Sequence, residues 1–337
     1  EKNPAAKEFI TGSSVVFVNV MMTELADFMV KEQLMAGRTV YALNPPGDPE
    51  ALTEKGYIFD PEIMDYYHNM TVGNMIHMVR MAVRRHIDPT VTFEALERLP
   101  EACIYHPDGP EKFQDVKSYR NWYAGRKNHR LQNPWVGFMF YNNNLKVGQV
   151  EAADAMIRKL EASGFNVLPC FGPAQILLTR YLKPISGKSP VDILLAFSLK
   201  FSSCINDEIW AALSGLNVPV FNGICPYAET IDQWRQSEVG LEPMETAWAV
   251  AVPELSGMIE PTVLVGKKEL IDSETGRRLY LHEAIEEGLN FFIPRLKKWA
   301  VLQRKPNRDK KVAIIYYNHS QGKQNIEASY LNVFRSL

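Results

Sequence analysis

Short apolar runs of strand length alternate with amphipathic stretches of helical period along most of this chain. SSVVFVNV (13–20) reads as a buried strand, residues 22–36 as an amphipathic helix stopping near Gly37, and RTVYAL (38–43) as a second strand. NPPGDPE then signals a loop. In TVGNMIHMVRMAVRRH (71–86), Met75, Met78, Val79 and Ala82 recur at helical spacing and predict a helix. EACIYH (101–106) gives a short strand broken by HPDGP, and YRNWYAG (119–125) the end of a helix. From residue 135 the pattern continues as strand WVGFMFY (135–141), a helix over 149–163 stopped by Gly164, and strands in FNVLPCFG, VDILLAFS (191–198) and VPVFNGI (218–224). Such alternation predicts an α/β fold with mainly parallel sheets, built of consecutive Rossmann-like doubly wound units.

Beyond Gly223 the pattern changes. Residues 230–261 read as a helix, a Gly turn, a strand-like AWAVAVPE and a loop, and residues 277–303 as one long helical stretch that Pro294 can kink. VAIIYY, after PNRDKK, opens a further α/β unit, and SYLNVFRSL reads as an unfinished helix. The polar connector NHRLQNP (128–134) marks a boundary. The expected organisation is an N-terminal α/β domain over 1–130, a Rossmann-like α/β domain over 131–230, and a connecting region plus the start of a further unit over 231–337. The whole reads as a fragment of a larger multidomain protein.

One segment echoes another. At a constant offset of 176, Val136, Tyr141, Asn142, Glu151 and Ala152 meet Val312, Tyr317, Asn318, Glu327 and Ala328. Both copies read as a strand ending in Tyr-Asn, an eight-residue loop and a Glu-Ala helix start. Repeated α/β units and a shared strand–loop–helix pattern account for this equally well. Either way both Tyr-Asn loops fall beyond the carboxyl ends of strands, where open α/β sheets bind ligands.

Composition narrows the function classes. The 337 residues are enough for two or three domains, and 46% hydrophobic content supplies their cores. A net charge of −2 argues against a broad basic surface for nucleic acid. No apolar run reaches the ~18 residues of a membrane helix. Cys103, Cys170, Cys204 and Cys225 lie far apart with no CxxC pair, which excludes zinc-ribbon and redox-motif readings on spacing. They are expected to be free and partly buried, as in a reducing, cytoplasmic compartment. GKQN (322–325) lacks the spacing of a phosphate-binding loop, and the chain shows no nucleotide-binding motif of its own.

Five stretches then stand in a telling order: HPDGPEKFQDVKSYRNWY (106–123), NPWVGFMFY with the following DAMIRKLEASGFNVLP, WRQSEVGLEP (234–243), PELSGMIEP (253–261) and YYNHSQGKQNIEASYLNVFRSL (316–337). Each alone is unspecific. Together they resemble the large, tetrapyrrole-binding subunit of the cobaltochelatases and magnesium chelatases. The resemblance covers most of 100–337 and, more weakly, 13–100. It implies a metal chelatase that inserts a divalent metal, cobalt or magnesium, into a porphyrin or corrin ring. In that family ATP is hydrolysed by separate, AAA+-type ATPase subunits. Two departures stand out: His319-Ser320-Gln321 replaces the family's Tyr-Pro-Pro, and Glu327 occupies a position that is commonly Gly. A relative from bacterial heme-uptake systems removes iron from heme to leave protoporphyrin, and an imidazole at 319 suits an iron porphyrin. That alternative would place the protein in the periplasm or at a membrane. A periplasmic-type small-molecule-binding module would explain the α/β alternation but not the motif set.

The candidate site residues follow from this chemistry. Insertion removes two pyrrole protons and removal returns them, so a group titrating near neutrality serves either direction. His319 can ligate the metal or carry such a proton; the plain reading is a histidine capping the next helix. Glu327 can accept a pyrrole proton, or simply complement a helix N-terminus by ~0.3–1 kcal/mol. Glu254, beside a Gly turn, is a third candidate carboxylate. Tyr317, Asn318, Gln321, Tyr141 and Asn142 are candidate ring contacts, and Lys323 a candidate partner for a porphyrin propionate. His68, His77 and His86 recur every nine residues and so face opposite sides of a helix, which argues against a shared metal site. His106 and Asp108 read as turn chemistry.

Overall fold

A computed structural model describes residues 4–21, 23–45, 49–200, 206–273, 276, 278–313, 317–318 and 326–327. The chain divides into two compact units, Glu1–Phe292 and Ile293–Leu337.

The first unit opens with strands β1 (Val15–Asn19) and β2 (Thr39–Leu43), which pair in parallel. The helix Thr23–Lys31 connects them, and Met29, Val40, Ala42 and Tyr57 close a small core of their own. The helix Val72–His86 follows, capped by the Thr71 hydroxyl, which accepts from the Asn74 amide at 3.0 Å. Two of its histidines serve local packing: His86 Nε2 lies 2.7 Å from the Tyr41 hydroxyl, and His77 Nδ1 accepts from the Glu94 amide.

The central sheet has six strands: β3 (Cys103–Ile104), β4 (Trp135–Phe140), β5 (Asn166–Phe171), β6 (Ile193–Ala196), β7 (Val220–Ile224) and β8 (Ile259–Val263). Their order is β3-β5-β4-β6-β7-β8, with β3 antiparallel at the edge and the other five parallel. Counted from β4, the parallel strands run second-first-third-fourth-fifth, one of the two common doubly wound orders. The chain reverses its winding between β4 and β6, so the crevice at the carboxyl ends of these strands is the topological switch point. This is the mainly parallel α/β architecture that the alternation predicts. Strand β3 lies ahead of residue 130 and is part of this sheet.

Side-chain alternation gives the sheet two different faces. Met139, Leu168, Cys170, Leu194 and Ala196 pack with Tyr119, Tyr123, Leu177 and Leu213 into one core. The other face is phenylalanine-rich. Phe138 and Phe140 stack at 5.4 Å, Phe197 meets them at 5.7 and 5.1 Å, and Phe221 meets Phe292 at 5.4 Å. Helix Glu151–Ala162 connects β4 to β5 and ends at Gly164, whose φ of +86° fits the stop read from the sequence.

Four local expectations are corrected. AWAVAVPE is helical: the run Pro243–Leu255 starts with Pro243 in its first turn and carries a π-helical turn over Ala247–Ala251. Its alternation of small and apolar residues mimics a strand, but Pro253 cannot donate to a sheet ladder. Residues 278–284 are a strand and not the start of the long helix. Strand β10 (Arg278–Ala284) pairs antiparallel with β9 (Val265–Ile271), and the helix begins only at Glu286. Part of the eight-residue loop expected after Tyr141 is a one-turn helix, Asn142–Lys146. In the second unit, β11 (Tyr317–Asn318) pairs antiparallel with β12 (Ile326–Glu327), so Glu327 lies in a strand and not in a helix start. The echo at offset 176 therefore does not extend to local structure, because Glu151 does open a helix.

Candidate functional site

The phenylalanine face leads into a cavity of about 700 Å³ at the switch point. That size falls within the ~300–1,000 Å³ range of small-molecule sites. Three of the parallel strands, β4, β6 and β7, contribute at their carboxyl ends. The end of β4 supplies Phe140 and Tyr141, and the segment after β6 supplies Phe197 and Lys200. The end of β7 and its loop give Ile224, Cys225, Pro226 and Tyr227, and the π-helical turn gives Trp248 and Ala249. Asn144 from the one-turn helix and the cross-strand pair Lys267 and His282 complete the wall.

Local hydrogen bonds fix this arrangement. The Tyr141 hydroxyl donates to the Phe197 carbonyl at 2.7 Å and ties the two strands of the switch point together. Pro253 has no N–H to give the Ala249 carbonyl four residues back. That carbonyl instead accepts from Asn222 Nδ2 at 2.8 Å and from the Lys200 ammonium at 3.4 Å. Lys200 also donates to Asn222 Oδ1. A helical irregularity of this kind commonly marks a functional region. Here it creates an acceptor that holds a buried lysine at the cavity. The Glu245 carboxylate, buried on the same helical run, accepts from the Tyr227 amide at 2.5 Å and the Ala228 amide at 3.4 Å, which fixes the loop after β7. Across the hairpin, Lys267 donates to the Tyr227 carbonyl, and its ammonium lies 5.4 and 5.5 Å from the ring centres of Tyr227 and Tyr280.

The electrostatics favour neutral His282 and neutral Cys225. Burial, reinforced by the neighbouring Lys267 ammonium, pushes the His282 imidazole below its ordinary value. The Asn144 side-chain amide sits 3.2 Å from His282 Nδ1; with that nitrogen accepting, the ring proton is on Nε2. Burial pushes the Cys225 thiol up to about 12, so it is no nucleophile at neutral pH. No carboxylate is among the described residues lining the cavity. Nor do any three His, Cys, Asp or Glu side chains gather to hold a metal among the described residues. The cavity therefore offers an aromatic, largely apolar wall, two ammonium groups and a neutral imidazole, a set suited to an aromatic ligand bearing negative charge.

Of the residues singled out in the sequence, Tyr141 lines this cavity. Asn142 instead donates to the carbonyls of Pro100 at 3.3 Å and Glu101 at 2.7 Å, which anchors the chain entering β3. Glu254 is exposed on the helical run and lines no part of the cavity. Tyr317, Asn318 and Glu327 belong to the second unit, in the β11–β12 pair. His319, Gln321 and Lys323 lie outside the described residues. Sequence reading missed Lys200, Tyr227, Trp248, Lys267 and His282. The alternation of Leu279 and Leu281 with polar neighbours in RLYLHEA was a usable signal for one strand of the hairpin that pairs Lys267 with His282, whereas VGKKELI, with three charged residues in succession, gives none.

The CobN/Magnesium Chelatase family model matches residues 64–337. The chain belongs to the CobN/magnesium chelatase family. Among its relatives, the chloroplastic magnesium-chelatase subunit ChlH of Oryza sativa subsp. indica is 32% identical over 296 residues, 82% of this chain and 20% of that protein. The aerobic cobaltochelatase subunit CobN of Pseudomonas aeruginosa is 26% identical over 253 residues, 72% of this chain and 19% of that protein. Among solved structures, the catalytic subunit of cobaltochelatase from Mycobacterium tuberculosis superposes with a TM-score of 0.61, at 18% identity, over 93% of this chain and 26% of that one. The chain thus spans about a fifth of the length of the relatives it matches. Family membership agrees with the resemblance read from the motifs. No helix among the described residues is long and apolar enough to cross a membrane.

Proposed function

We propose that this chain is the part of a chelatase large subunit that receives the tetrapyrrole, and that the whole protein inserts a divalent metal into the ring. The observation that carries the reading is the family match over 64–337. The aromatic cavity at the switch point supports it, since Phe140, Tyr141, Phe197 and Trp248 give a large apolar ring aromatic side chains to pack against. In this reading Trp248, Phe197 and Tyr141 pack on the macrocycle. His282, held neutral, is a base within the cavity that can accept a pyrrole proton as the metal substrate enters. Magnesium or cobalt is the metal, and ATP is hydrolysed on AAA+-type partner subunits. The dechelatase and periplasmic-module readings have no observation of their own in their favour. The test is an absorption titration of the chain with metal-free protoporphyrin, hydrogenobyrinate and hemin. A shifted and sharpened ring absorption with a metal-free ring is expected, and no shift with any of the three contradicts the reading.

A further inference from the structure

The cavity's charge is more specific than its shape. Its described lining carries two ammonium groups and no carboxylate. Lys200 is buried, with 6% of its surface exposed, and is held from two sides by the Asn222 side chain and the Ala249 carbonyl. Lys267 stands on the hairpin between the Tyr227 and Tyr280 rings. The nearby Glu245 carboxylate is turned to the Tyr227 and Ala228 amides. Holding a lysine at a buried wall carries a desolvation cost, and the main-chain irregularity at Pro253 supplies part of the compensation. A ligand that is apolar and uncharged would use the aromatic wall but neither ammonium. An anionic substituent reaching either lysine would meet it where attraction is stronger than in open water.

We propose that Lys200 and Lys267 read the carboxylate substituents at the edge of the macrocycle, so that this cavity selects rings with free acid side chains over rings whose acids are amidated. This rests on the tetrapyrrole reading and deepens it. Lys200 is the inner contact and Lys267 the outer one. Each forms a charge-assisted hydrogen bond with a ring carboxylate, which an amide oxygen replaces only weakly. The aromatic wall binds both kinds of ring alike.

The test titrates the intact chain, and its Lys200→Met and Lys267→Met variants, with protoporphyrin IX and with its bis-amide. The unaltered chain should bind the free acid at least about tenfold more tightly than the bis-amide. Each variant should lose about that factor for the free acid and little for the bis-amide. Lys267 is on an exposed hairpin, so Lys267→Met keeps the test sound should Lys200→Met fail to fold, and Lys267→Arg should restore most of the preference. Equal affinity of the unaltered chain for both rings overturns this proposal and leaves the proposed function standing. So does an equal loss for both rings in a folded variant. Binding of neither ring by the unaltered chain overturns the proposed function and this proposal with it.

Discussion

Replacing Glu161 with Gln should cost the fold roughly 3 kcal/mol at neutral pH and make that cost pH-dependent. Glu161 is buried on helix Glu151–Ala162 under the HPDG turn that follows β3. Its Oε1 accepts from the Tyr123 hydroxyl at 2.7 Å and pairs with His106 Nε2 at 3.2 Å; its Oε2 pairs with Arg126 at 3.1 Å. His106 Nδ1 in turn accepts from the Asp108 amide, and Asp108 is gripped by Arg126 and Arg158. Burial opposes ionisation of Glu161, but the hydrogen bonds from His106 and Tyr123, with the charge of Arg126, overcome it. They hold the carboxyl at about 2, against an ordinary 4.5. At ~1.4 kcal/mol per unit that difference amounts to roughly 3 kcal/mol. Because the folded value lies below the unfolded one, the contribution is present above pH 4.5 and is lost as pH falls towards 2. Trp122 packs edge-on against His106 at 5.0 Å and reports the site. Urea unfolding of the chain and of Glu161→Gln, followed by tryptophan fluorescence between pH 7 and pH 3, measures the gap. The gap should be widest near neutrality and narrow below pH 4.5. A gap under ~0.5 kcal/mol, or one that stays constant with pH, refutes the assignment.

Further expectations follow from single contacts. A Cβ on Gly223 would lie 2.6 Å from two atoms of the Phe197 ring, so Gly223→Ala should push that ring towards the cavity, cost ~1–3 kcal/mol in denaturation experiments and weaken ring binding; unchanged binding would contradict the placement of Phe197 on the cavity wall. Tyr141→Phe removes the bond that joins the two switch-point strands and should cost ~0.5–1.5 kcal/mol of stability, checked by urea unfolding, where a stabilised variant would be unexpected. Burial pushes the Cys103 and Cys225 thiols up to about 11 and about 12 and raises Cys170 too. Iodoacetamide at pH 8 should therefore label these three only after unfolding, and rapid native labelling located to them by mass spectrometry would be the contrary result.

The sheet was legible in the sequence because its strands are nearly all apolar and are bounded by turn residues. WVGFMFY, FNVLPCFG, VDILLAFS and VPVFNGI each contain the strand they predict. The elements after Gly223 were harder. AWAVAVPE alternates like a strand, and only the register of Pro253 against the Ala249 carbonyl separates the two readings. RLYLHEA runs directly into IEEGLNFF without a breaker, so strand and helix merged into one predicted stretch. The site was less legible than the fold. Tyr141 was found because a ligand-facing loop begins at the end of its strand. Lys200, Trp248, Lys267 and His282 come from four separate segments, and only the topology brings them to one edge. Lys200, just after β6, and Lys267, on strand β9, carry no spacing signal that marks them as cavity residues.

The central claim is that the cavity between the ends of β4, β6 and β7 receives a tetrapyrrole. Its most direct test is an absorption titration of metal-free protoporphyrin with the chain and with Trp248→Ala. Saturable binding that weakens about tenfold or more in the variant, with the fold intact by circular dichroism, is the predicted result. Saturable binding that is the same in both proteins, or no binding to either, would contradict it.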